Sequence, residues 1–359
     1  MGINKEKTGK RCASVLAAVL AAACLAGCTS DRAAQQMAYR QTGLDAMRSG
    51  DYAGAVAAFD TALSYAPGTV GEVELDICYY KAAAQFAAGD QEGALATYDA
   101  LIAYDDKDAD AYYTRGCLHL QRYEGDQAFA DFDAAISNDA DNYELYMNIY
   151  RNLAAYNLIA EGEEYLNKAF AIKGDDAEQL TSRGEIYLLL GEYENAITEL
   201  TAALEKKSVR ANLILAEVYE ASGDAENAEK YYKAYVESGA ADSETMNALA
   251  EIEMAKLDYT AALDYVNQGL AMEQVTNRRE LMQNQIICME YTADFKGAWQ
   301  VAQEYIALYP NDAAVQREYV FLKNRQTETA GNETETEIEA EITTAEGGES
   351  VTDTEAGAQ

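Results

Sequence analysis

One spacing recurs along most of this chain and restricts its fold more than any other feature. The stretch GDYAGAVAAFDTAL, Gly50 to Leu63, returns as GDQEGALATYDAL from Gly89, EGDQAFADFDAAI from Glu124, GEYENAITELTAAL from Gly191, GDAENAEKYYKAYV from Gly223, LDYTAALDYVNQGL from Leu257 and DFKGAWQVAQEYI from Asp294. Aligned, these copies form a row of small residues: Ala55, Ala94, Ala128, Gly162, Ala196, Ala228, Ala262 and Ala298. Twelve residues upstream runs a first row: Gly43, Ala82, Gly116, Tyr150, Gly184, Ala216, Ala250 and Ile286. Successive spacings are 39, 34, 34, 34, 32, 34 and 36 residues. Self-similarity at one such period marks a stack of supersecondary units, none of which can bury its apolar face alone.

Within a copy the period is helical. Ala55, Phe59 and Ala62 fall at i, i+4 and i+7, on one face, and Ala196, Leu200 and Ala203 repeat the stripe. Upstream, Leu180, Gly184 and Tyr187 make a matching stripe on a preceding helix. Each copy therefore predicts a helical hairpin, with small residues where two backbones approach. In the fourth copy Tyr150 replaces the small first-row residue and faces the row's only glycine, Gly162, a volume-conserving exchange. Ile286 and Ala302 exchange large and small in the same sense in the last copy.

This pattern resembles the tetratricopeptide repeat over residues 36 to about 312. The resemblance implies an all-α fold, a right-handed α-solenoid of about eight helical hairpins. Both prolines, Pro67 and Pro310, stand 24 residues after a first-row position, where the family turns out of its second helix. After Pro310, Val315, Tyr319 and Leu322 share a face with polar residues elsewhere, which predicts a capping helix and a solenoid domain over 36–325.

The N-terminal residues carry Lys5, Lys7, Lys10 and Arg11 ahead of the uncharged run SVLAAVLAAACLAG. That run falls short of the ~20 residues of a membrane-spanning helix, so residues 1–27 read as a cleaved signal peptide. Leu25-Ala26-Gly27-Cys28 resembles the bacterial lipoprotein processing box, which implies lipidation of Cys28, palmitate among its acyl groups, and a short tether over 28–35. Two acyl chains hold a protein stably at a bilayer where one does so only marginally. At the other end, 326–359 has ten acidic residues, no basic residue and no aromatic one, and predicts a disordered acidic tail.

The chain has net charge −35, and about −38 without residues 1–27. Nucleic acid requires a basic footprint, so nucleic acid is not an expected partner. Cys78, Cys117 and Cys288 remain outside the leader, an odd set with no metal-ligand spacing. The single histidine, His119, stands at a core-facing position two residues from Cys117, a separation that does not face two side chains together on a helix. No phosphate loop, zinc motif or nucleophile elbow is present. No cofactor, no metal and no catalysis are expected.

The expected site is the groove lined by the first helices. Tyr79, Tyr80, Phe86, Tyr113, Cys117 and Leu120 would offer anchors for an apolar segment, the alternative being that the tyrosines pack between neighbouring helices and the glutamates of the later repeats are simply solvated. Glu178, Glu185, Glu217, Glu220, Glu244 and Glu251 would form an acidic track for a basic one. The lysine and asparagine clamp that this family uses for C-terminal carboxylates is replaced by Arg40, Leu44 and Tyr80. The sequence thus predicts a lipid-anchored scaffold for a protein or peptide partner, held to the membrane on the extracytoplasmic side of the bacterial envelope. The alternative is a lipoprotein that captures peptide or glycan for transport or cell-wall processing.

Overall fold

The computed structural model describes residues 29–66 and 68–325, with seventeen α-helices and no strand among them. The leader, Cys28, Pro67 and the tail 326–359 lie outside the described residues. The chain divides into two compact units, Met1–Asp175 and Asp176–Gln359. The first holds α1 (Thr29–Arg48), α2 (Tyr52–Ser64), α3 (Glu72–Ala87), α4 (Gln91–Tyr104), α5 (Ala109–Gln121), α6 (Gly125–Asn138), α7 (Tyr143–Ala155) and α8 (Ile159–Ala169). The second holds α9 (Ala177–Leu189), α10 (Tyr193–Glu205), α11 (Arg210–Ala221), α12 (Ala225–Glu237), α13 (Ser243–Ala255), α14 (Tyr259–Leu270), α15 (Arg278–Tyr291), α16 (Phe295–Leu308) and α17 (313–325). Within each unit, consecutive helices pair as hairpins and each second helix packs on the next first helix. The fold is all-α and solenoid-like within each unit, four hairpins apiece, with α17 closing the second.

The hairpin turns follow from a local rule. A residue in the left-handed region ends every first helix, seven positions after its first-row residue: Gly50, Gly89, Tyr123, Asn157, Gly191, Gly223, Leu257 and Ala293, with φ from 59° to 85°. Its successor's N–H reaches back to a helix carbonyl, as Asp51 does to Ala46 at 2.9 Å and Glu192 to Tyr187 at 2.8 Å, the 6→1 closure of a Schellman turn. In five hairpins an aspartate follows the turn and caps the second helix. Asp51, Asp90, Asp224, Asp258 and Asp294 accept from the N–H groups of Gly54, Gly93, Asn227, Ala261 and Gly297 at 2.9–3.1 Å.

Close backbone approach explains the rows. Every alanine of the second row is fully buried. A Cβ added at Gly43 would stand 2.5 Å from the Phe59 ring, and one at Gly116 would stand 2.8 Å from Phe132. The fourth hairpin inverts the arrangement: Tyr150 covers Gly162, where a Cβ would meet the ring at 2.9 Å and the Tyr150 backbone at 3.4 Å. In the last hairpin, Ile286 and Ala302 share a core with Met282, Ala298, Tyr305, Val315 and Leu322. The expected cap helix forms, with Val315 and Leu322 buried.

One boundary differs from the sequence expectation. Residues 29–35 belong to α1 instead of forming a tether. Asp31 stands in the first turn, where an anion suits the helix dipole, and Arg32 reaches the carbonyls of Ser64 and Ala66 at 3.3 Å. Gln36 is buried and donates to Glu74 Oε1 at 2.7 Å, tying α1 to α3. Among the described residues no helix is long and apolar enough to cross a membrane.

Candidate functional site

Most residues expected to line a groove stand three before, or one or four after, the first-row residue of their first helix, with Tyr80 two before and Glu178 and Glu244 six before. In the first unit the structure turns most of the aromatic candidates into packing. Tyr79 on α3 is half-buried, lies edge-on to Tyr98 and donates to Asp108 Oδ1 at 2.6 Å, at the N-cap of α5. Burial and that carboxylate hold its phenol far above the ordinary tyrosine range. Tyr113 on α5 packs beside Phe132 and accepts from Asn152 on α7 at 2.8 Å. Tyr80 stacks on Phe59 with the Arg40 guanidinium 5.4 Å above its ring, and Arg40 is itself paired with Asp76 at 2.5 Å. Leu120 is only 3% exposed, so it is buried and lines no open surface. Cys117 is half-buried with its thiol pushed up to about 11 by burial. Phe86, 36% exposed, is the one aromatic candidate that stays open.

The second unit keeps more of its expected surface. Glu185 on α9 is an exception, 8% exposed and paired with Arg210 at the start of α11. Glu217, two turns further along the same face of α11, is half-buried and accepts no hydrogen bond among the described residues. Burial first, then the charges of Glu185 and Glu220, push its carboxyl up to about 7 against the opposing pull of Arg210. Glu220 is exposed and accepts from Tyr232 Oη at 2.6 Å. On α13, Glu251 is exposed and accepts from Asn247 at 2.7 Å, with Asn284 of α15 bonded to Asn247 at 2.9 Å. Glu178 and Glu244 are exposed, the latter accepting from Thr276 at 3.1 Å. Beyond these, a cavity of about 260 Å³ lies between α15 and α17, walled by Ile287 and Val315 and edged by Glu290 and Glu318. Glu290 is pushed up to about 7, by burial and by Glu318, and its Oε1 is buried without a partner.

Sequence reasoning missed Arg210, whose cation serves Glu185 from 25 residues away, and the Asn247–Asn284 contact between successive first helices. Asparagine recurring near the acidic rows was the available signal. His119 bonds Glu124 through Nδ1 at 2.7 Å, closing its own hairpin turn. Among the described residues no three His, Cys, Asp or Glu side chains are grouped to hold a metal ion.

Two stretches, residues 46–115 and 181–244, match family models of the tetratricopeptide repeat, one stretch in each unit. The family supported for these hairpins is the tetratricopeptide repeat. Among solved structures, a tetratricopeptide repeat protein from Parabacteroides merdae is 15% identical with a TM-score of 0.43, covering 80% of this chain and 99% of its own. Pseudomonas aeruginosa pilF is 19% identical with a TM-score of 0.41, covering 60% of this chain and 98% of its own. No curated protein matches.

Proposed function

We propose that this chain is a protein-interaction scaffold, anchored through lipid on Cys28 to the extracytoplasmic face of a bacterial membrane, and that its second unit holds a basic segment of its partner. Tetratricopeptide repeat proteins as a class mediate protein–protein interaction or assembly. The observation that carries the finer reading is Glu217. It is a half-buried carboxylate flanked by Glu185 and Glu220, and the neighbouring cation, Arg210, is already engaged with Glu185. A lysine or arginine side chain laid over Glu217 and Glu220 would relieve that repulsion in a site where solvent screens little. The scaffold reading involves no catalysis.

The test is a lysine-rich peptide titrated onto the purified chain by calorimetry, alongside crosslinking pull-down from membranes. Glu217→Gln with Glu220→Gln is expected to weaken the peptide at least tenfold and to lose the crosslinked partner. Undiminished binding of both would overturn the acidic site. A mature chain whose N-terminal Cys28 carries no acyl groups by mass spectrometry would overturn the lipid anchor.

A further inference from the structure

Helix α17 carries the first-helix pattern of a ninth repeat. Val315 and Leu322, seven residues apart, are buried against the preceding hairpin, as Leu281 and Cys288 are in α15. That register puts Val320 in the first row, thirty-four residues after Ile286. In the eight complete repeats this row faces the hairpin's own second helix: seven of its members are buried and Tyr150 lies over Gly162. Val320 is 54% exposed, next to Phe321 at 50%. Gln316 and Lys323, which share the stripe with Val320, are exposed as well, and so is Arg317 beside it. Neither Arg317 nor Lys323 makes an ion pair among the described residues.

We propose that this face of α17 docks an amphipathic helix of a partner protein, acidic on its polar side and small-large-small along its apolar stripe, which completes the ninth hairpin in trans. The shape follows from the repeats themselves, where Ala196, Leu200 and Ala203 of α10 fill the same stripe against Gly184. The charge follows from two free cations bordering the stripe in a chain of net charge −35. Complete hairpins also join a first-helix cation to a second-helix acid, though one position before the first row: Arg115 on α5 bonds Asp131 on α6 at 2.6 Å, and Arg183 on α9 bonds Glu199 on α10 at 2.8 Å. The chain's own continuation lacks the stripe in this register. Asn332, Thr336 and Glu339 stand where α10 carries Ala196, Leu200 and Ala203.

A fluorescently labelled synthetic peptide with the sequence of residues 192–205, EYENAITELTAALE, has the required stripe and four acidic side chains. Titrated with the full chain and followed by anisotropy, it is expected to bind saturably. Val320→Asp is expected to weaken binding at least tenfold, and so is Arg317→Glu with Lys323→Glu, at unchanged circular dichroism. No binding, or equal binding to Val320→Asp, would overturn the proposal. A tenfold gain on deleting 326–359 would assign the face to the chain's own tail, and a dimer abolished by Val320→Asp would assign it to a second copy. Either result would also overturn docking of a partner.

Discussion

At four of the eight hairpin turns the left-handed position is held by Tyr123, Asn157, Leu257 or Ala293, residues with a Cβ. Outside glycine that conformation costs roughly 1–2 kcal/mol, partly offset by glycine's greater freedom in the unfolded chain. Leu257 is 72% exposed and loses little burial on replacement. Leu257→Gly is therefore expected to raise stability by about 0.5–1 kcal/mol in urea unfolding. Gly162→Ala should do the opposite, by roughly 1–3 kcal/mol, because the added methyl meets both ring and backbone of Tyr150. Combined with Tyr150→Ala, which restores the small residue found in six other hairpins, it should cost clearly less than the two single changes added together. The exchange of Tyr150 and Gly162 was legible in the sequence because both members break their rows at once. The engagement of Tyr79 with Asp108 and of Tyr113 with Asn152 was not, since each bond joins different repeats and leaves no trace in either residue's own row.

Among the elements, α17 is held at its start by one side chain with several partners. Asp312 caps it through the N–H groups of Ala314 and Val315, and also accepts from Tyr305 Oη at 2.6 Å and Arg279 at 2.8 Å. The Tyr305 hydroxyl first, then the Arg279 guanidinium, hold the Asp312 carboxyl well below the usual carboxylate range. A depressed carboxylate stabilises the fold above its unfolded pKa and loses that contribution as pH falls. Asp312→Ala is expected to loosen α17 at neutral pH, read from Trp299, the chain's only tryptophan, which stacks on Tyr319 of α17. Trp299 emission identical to the parent protein's would refute this. The helices were legible from the sequence to within a few residues because each repeat supplies its own turn and cap. The contacts of Arg32 and Gln36 that hold α1 were not, because their partners lie more than thirty residues downstream.

For the whole molecule the dominant quantity is charge. A net of −35 works against compaction through self-repulsion, so stability should rise as salt screens it between about 0.02 and 0.2 M. Glu217 and Glu290 add a pH dependence that comes first from burial and then from neighbouring acids. Both are pushed up to about 7, so between the ordinary glutamate range and that value the folded chain binds more protons than the unfolded one. Stability therefore falls as pH rises through this window. Glu217→Gln should flatten the decline, measured as denaturation midpoints at pH 5 and pH 8, and an unchanged slope would refute the assignment. The sequence disclosed the sign and abundance of the acids, but not which of them lacks a cation, because that depends on Arg210 reaching back to Glu185. The turns carry a consequence for inheritance. Asp51, Asp90, Asp224, Asp258 and Asp294 each bond within three residues of themselves, so every such hairpin travels with its own punctuation. Unequal recombination between two of these turns would delete or duplicate a block and leave each cap intact, so descendants of this gene should differ in length by whole repeats.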